Sequence, residues 1–91
     1  GHEQSGLRPA LTLTPKSYNQ KSGLALVCPI TSKTKNYPFE VKIKSNQIDG
    51  VVLADQLKSL DWHERKAELI QRAPETVVGK TQEFIELLIR A

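Results

Sequence analysis

The residues best equipped for chemistry in this 91-residue chain stand at its beginning. Gly1-His2-Glu3-Gln4-Ser5-Gly6-Leu7-Arg8-Pro9 reads as a polar loop that holds a titratable pair, His2 and Glu3, and delivers an arginine to the head of a strand. The proline that follows Arg8 restricts the backbone before it. A guanidinium placed this way could clamp a phosphate bidentately and stabilise charge building on a phosphorane. The plain alternative is a surface salt bridge. Thr31, at the end of an apolar run, could offer a hydroxyl into the same space, and alone it is only a strand-end threonine.

Other chemistries find little support. His2 and His63 are far apart, with no HExxH, no CxxC and no dense acidic cluster, so a bound metal is not expected. No glycine-rich phosphate loop is present, which disfavours a nucleotide-dependent enzyme, and no cofactor is expected. Cys28, the one cysteine, excludes an internal disulfide. It sits in an apolar run, where a buried inert thiol is the expectation.

Net charge is +3 but unevenly spread. Between Arg8 and Lys44 stand seven basic residues and one acid, Glu40, whereas Asp61 to Ala91 holds five basic and six acidic residues. The first half is therefore a candidate surface for a polyanion. Lysines scattered through strands and loops are equally often a solvated face.

These residues must be positioned by short elements punctuated by Gly, Pro, Asn and Ser. Pro9 to Thr14 reads as a strand stopped by Pro15, and Lys16 to Ser22 as a loop or turn. Leu24 to Cys28 suits a strand buried on both faces, which Pro29 ends or places at an edge. Thr31 to Asn36 reads as an exposed basic loop. Phe39, Val41 and Ile43 alternate with Glu40, Lys42 and Lys44 as a strand with one apolar and one charged face. Ser45 to Gly50 follows as a turn with Asp49-Gly50 as a hairpin signal. Val51 to Leu60 reads as one strand, bent at Asp55, then a helical turn at Trp62 to Arg65 and a short strand at Ala67 to Gln71. Pro74 and Glu75 open an amphipathic helix whose stripe is Val77, Thr81, Phe84, Ile85, Leu88 and Ile89.

The class is therefore mainly β with a C-terminal α-helix, a small curled sheet or barrel, as one domain over 1–91. A chain this short buries only roughly 60% of its unfolded surface, so a partner subunit is expected. The longest apolar run is too short to cross a membrane, and the reading is a soluble cytoplasmic protein. The sequence contains no methionine, which suggests an N-terminus that is lost or processed.

Three ordered segments, GHEQSGLRPALTLTPKSYN, VCPITSKTKNYPFEV and DGVVLADQLKSLDW, resemble the MazF/PemK family of bacterial toxin–antitoxin endoribonucleases, closest to the MazF branch. The likeness runs through essentially the whole chain. It implies a small SH3-like β-barrel of the CcdB/PemK-like toxin fold, a homodimer, a MazE-like antitoxin and a metal-independent ribonuclease that cuts single-stranded mRNA and halts growth. The family's first strand is missing from the sequence and would pair beside Pro9 to Thr14. The family's principal catalytic pair, the arginine of its EQxGxRP motif and the threonine of its PxT motif, corresponds to Arg8 and Thr31. Acid–base roles assigned in the PemK/Kid branch fall on His2 and Asp55. Two departures matter: Leu7 stands where one MazF branch has histidine, and Leu53 where the Kid branch has arginine. Both favour a mechanism centred on Arg8.

RNA brings its own nucleophile, the 2′-hydroxyl, so a site without metal need only orient it, move protons and stabilise the phosphorane. The expected roles are Arg8 on the phosphorane, Thr31 on the phosphate, His2 or Glu3 as base and Asp55 orienting. The products would be a 2′,3′-cyclic phosphate and a 5′-hydroxyl. Gln4, Ser32, Lys33, Lys35, Tyr37, Phe39 and Gln56 are the candidates for binding RNA, with core packing the alternative for both aromatics. Trp62 is expected in the core or an interface, and His63 on the surface. A competing class is a noncatalytic poison of a protein such as DNA gyrase. Related toxins of that kind carry a terminal aromatic, which Ile89-Arg90-Ala91 does not. A noncatalytic SH3-like interaction module would need a groove lined with aromatics, and these make up only 5% of the chain.

Overall fold

The structure is a computed structural model in which residues 8–91 are described. Among them the chain runs β1 (Ala10–Thr12), α1 (Lys16–Ser22), β2 (Leu24–Thr31), β3 (Glu40–Lys44), β4 (Asp49–Leu53), a 3-10 turn (Ala54–Gln56), β5 (Lys58–Asp61) and α2 (Glu75–Arg90). All strand pairings are antiparallel, in the order β1-β2-β4-β3, with β5 also on β2. β1, β3 and β5 each have a single partner, so the sheet is not closed among the described residues.

β2 is the axis of the fold. Val27 and Cys28 are consecutive and both buried, so the strand is covered on its two faces, as its unbroken apolar run implies. The strand nevertheless continues through Pro29 to Thr31. Ile30 N–H donates to the Pro9 carbonyl at 3.1 Å, so the amide position of Pro29, one residue earlier, faces the opposite side. On that side the partner bulges away. Val52 pairs with Ile30 and Lys58 with Val27, so residues 53–57 face only 28 and 29. The 3-10 turn takes up the excess. The missing proline donor thus falls where no ladder partner waits, which is why Pro29 is tolerated inside the strand. The expected single strand from Val51 to Leu60 is accordingly two, β4 and β5, both lying along β2.

The segment expected as a loop at Lys16–Ser22 is helical. Asn19 and Ser22 are weak helix formers, but the surroundings hold them. Gly23 adopts the left-handed φ of 75° and its N–H donates to the Asn19 carbonyl, closing the helix. The Asn19 amide donates to the Thr14 carbonyl at 3.2 Å, and Trp62 Nε1–H donates to the Asn19 carbonyl at 2.9 Å. Trp62 is half-buried, with its one polar atom satisfied, and His63 is exposed. The β3–β4 hairpin turns at Ser45–Ile48 rather than at Asp49-Gly50, which lie in β4. Ser45 Oγ accepts the amides of Gln47 and Ile48 and donates to Gln71 Oε1. Residues 62–66 form hydrogen-bonded turns, and Ala67–Gln71 is unpaired rather than a strand, with Leu69 89% exposed.

The helix α2 follows Pro74 and lays Val77, Val78, Phe84 and Ile85 on the sheet face formed by Leu11, Cys28, Ile30, Val41, Ile43 and Val52. Thr81 is fully buried, its hydroxyl satisfied by the Val77 carbonyl at 2.8 Å. Phe39 meets Phe84 edge-on with centroids 5.5 Å apart. The rest of the expected stripe runs past the sheet, leaving Leu88 and Ile89 exposed.

One glycine fixes the approach of β4 to β2. A Cβ at Gly50 would lie 2.2 Å from the Thr31 carbonyl oxygen and 2.9 Å from its carbon, both backbone atoms. Gly50→Ala must therefore displace one strand. The expected cost is about 1–3 kcal/mol, a fall in Tm of roughly 4–8 °C per kcal/mol for a domain of this size. An unchanged thermal melt would show that the two strands can part without loss.

Candidate active site

The ladder between β1 and β2 pairs Ala10 with Pro29, Leu11 with Cys28 and Thr12 with Val27. The Ile30 to Pro9 hydrogen bond carries it one step further. Continuing the same register sets Arg8 opposite Thr31. Arg8 is exposed and Thr31 half-buried. On its other side Thr31 pairs with Val51. The two residues singled out from the sequence thus come to the same end of the β1–β2 ladder, although 22 positions separate them in the chain.

The Thr31 hydroxyl has an orientation imposed on it. Its Oγ1 accepts the Lys33 backbone N–H at 3.1 Å. The hydroxyl proton is left to donate elsewhere, the polarity needed to hold a phosphate oxygen. Ser32, Lys33 and Lys35 follow on an exposed loop, with Tyr37 58% exposed and the Lys35 ammonium 5.9 Å from its ring centroid.

That loop is organised by Glu40. Its carboxylate accepts the Thr34 hydroxyl, the Lys35 N–H at 3.0 Å and the Asn36 N–H at 3.1 Å, while its own amide donates to the Tyr37 carbonyl at 3.2 Å. Asn36 accordingly takes the left-handed φ of 59°. The Thr34 hydroxyl first, and then the backbone donors, hold the Glu40 carboxyl below the usual carboxylate range. The sequence offered one sign of this, a lone acid among seven bases, and its bonding role was not read from it.

Phe39 stands apart from this set, in the core packing that was its alternative. It shares strand parity with Val41 and Ile43 and packs on Phe84, so its ring belongs to the α2 face and not to the face of Thr31. Asp55 and Gln56 are exposed on the 3-10 turn, beyond Val51. Asp55 lies near Cys28 rather than being brought to Arg8 by any strand pairing. The Cys28 thiol is pushed up to about 11, by burial first and by the Asp55 charge second, which makes it a poor nucleophile at neutral pH. His2, Glu3 and Gln4 lie outside the described residues. Among the described residues no group of three His, Cys, Asp or Glu side chains could hold a metal.

Because hydrogen bonds lower the folded pKa of Glu40, its contribution is complete above the ordinary carboxylate pKa and is lost as pH falls through the lowered value. Protection of the Lys35 and Asn36 amides relative to their intrinsic exchange rates should be present at neutral pH and fall on acidification, and Glu40→Ala should lack it throughout. Protection at these amides that ignores both pH and the substitution would remove Glu40 from this role.

The family model described as PemK-like, MazF-like toxin of type II toxin-antitoxin system matches residues 1–89. Endoribonuclease toxin MazF of Escherichia coli K12 is 51% identical over 67 residues, which cover 74% of this chain and 60% of that protein. Endoribonuclease PemK of Escherichia coli is 33% identical over 85 residues, 88% of this chain and 64% of that protein. The chain thus spans about 60% of the length of the MazF it matches. A MazE-MazF crystal structure from Deinococcus radiodurans superposes with a TM-score of 0.90 at 43% identity, covering 96% of this chain and 86% of that one. The family-model match takes in the β1–β2 ladder and all of α2 but its last residue, and it shows that the chain belongs to the PemK-like, MazF-like toxin family of type II toxin–antitoxin systems.

Proposed function

We propose that this protein is the toxin of a type II toxin–antitoxin pair, an endoribonuclease that cuts single-stranded mRNA. The observation that carries this reading is the row formed by Arg8 and Thr31 across β1 and β2, in a chain related to named endoribonucleases. Arg8 stabilises charge on the phosphorane and assists the departing 5′-oxygen. The Thr31 hydroxyl, already accepting from Lys33, donates to a phosphate oxygen. The ribose 2′-hydroxyl attacks, His2 or Glu3 takes its proton, and Asp55 acts from the 3-10 turn. A 2′,3′-cyclic phosphate and a 5′-hydroxyl are released, with no step that requires a metal. Ser32, Lys33, Lys35 and Tyr37 steer the strand and stack on its bases, with Gln4 and Gln56 completing the contacts.

The protein works in the cytoplasm as a homodimer restrained by a MazE-like antitoxin. Support comes from the MazE-MazF relatives and from aliphatic side chains without cover at the end of α2, Leu87 at 61% and Ile89 at 77% exposed. No described helix is long and apolar enough to cross a membrane. The gyrase-poison alternative is not favoured by these relatives.

Incubated with a defined single-stranded RNA in chelator, the protein should give discrete fragments ending in cyclic phosphate. Arg8→Ala and Thr31→Val should each slow cleavage by about 10²–10³-fold with unchanged circular dichroism. Cleavage by Arg8→Ala at the wild-type rate, or a strict requirement for a divalent ion, would overturn the scheme.

A further inference from the structure

The row that holds Arg8 and Thr31 does not stop at Val51. β4 pairs with β3 in a register that sets Lys42 opposite Val51. Directly paired residues of an antiparallel sheet project to the same face. Arg8, Thr31, Val51 and Lys42 are therefore one line across β1, β2, β4 and β3, on the face away from α2. Two strand spacings separate Thr31 from Lys42, about 9–10 Å.

Lys42 is exposed, and its cross-strand neighbour is the apolar Val51. The other charges that β3 carries on this face are differently engaged. Lys44, two residues on, stands opposite Asp49, which offsets it. Glu40, two residues back, is committed to Thr34, Lys35 and Asn36. Lys42 is thus the cation that extends the line of Arg8 and Thr31 toward the sheet edge, at the end of a flexible stem.

We propose that Lys42 binds a backbone phosphate of the RNA adjacent to the phosphate being cut, so that the strand lies across β2, β4 and β3. This rests on the ribonuclease reading above and adds a contact outside its catalytic set. A contact of this kind holds substrate and transition state alike, so its loss raises KM and leaves kcat unchanged.

The test uses Lys42→Gln beside Lys80→Gln, a substitution of an exposed lysine on α2, across the sheet from Lys42. Substrates are single-stranded RNAs carrying the mapped cleavage site and shortened one nucleotide at a time from either end. A single-strand phosphate contact releases about 0.7 counterions, equivalent to about fivefold in affinity at 0.1 M salt. Lys42→Gln should raise KM about fivefold on long RNA, with kcat and Tm unchanged, and flatten the salt dependence of log KM by about 0.7. The wild type should suffer the same loss when one particular flanking phosphate is trimmed, and Lys42→Gln should not feel that trimming. Lys80→Gln should behave as wild type. If Lys42→Gln keeps the wild-type KM and salt slope while both proteins cleave, the inference is wrong and the ribonuclease reading stands. If the wild type neither binds nor cuts RNA, both fall together.

Discussion

A strand hydrogen-bonded along both sides leaves its residues little freedom, and β2 is held that way. β1 lies along one side and β4 with β5 along the other. Sliding β2 by one residue would exchange the burial of Val27 and Cys28 with that of half-exposed neighbours and drive Thr31 off its row, so the register is enforced by packing. Gly50 tightens the constraint, because its bare α-carbon lets β4 close on the Thr31 backbone. The position of Thr31 is thus set by backbone pairing and not by contacts of its own side chain.

The sheet divides labour between its faces. One face carries Leu11, Cys28, Ile30, Val41, Ile43 and Val52 under α2, and supplies the burial that stabilises a chain of this size. The other carries the line from Arg8 to Lys42. Period-two alternation makes the division automatic, since each apolar residue of β3 committed to α2 sends its neighbour to the opposite side. Phe39 shows how sharply this is decided. It lies beside the loop that follows Thr31, yet its parity turns the ring toward Phe84. Proximity in sequence to a site is a poor guide when faces alternate.

The loop after Thr31 is ordered by electrostatics. Three donors converge on the Glu40 carboxylate, and a further backbone donor fixes the Thr31 hydroxyl. A single acid placed among lysines therefore shapes a basic surface without neutralising it. The Lys35 and Tyr37 side chains project outward while their backbone is gathered around Glu40.

Much of this was legible in the residues. The strand around Leu11, the buried run before Pro29, the alternation from Phe39 to Lys44 and the helix after Pro74 are local patterns, each set by side-chain period and proline geometry. Arg8 and Thr31 stood out by type and motif. What failed failed for nonlocal reasons. α1 needs Trp62 and Thr14 to hold Asn19, the strand through Pro29 needs the bulge at Ala54–Gln56, and the hairpin turns on Ser45 bonds rather than on Asp49-Gly50. Sequence alone determined the strands around Leu11, before Pro29 and from Phe39 to Lys44 and the helix after Pro74, because side-chain period and proline geometry act within a few residues, and its three ordered motifs carried the family resemblance. Only the tertiary structure decided that Arg8, Thr31, Val51 and Lys42 share one line and that Glu40 ties the loop, because cross-strand register and side-chain convergence arise when distant segments are brought to hydrogen-bonding distance.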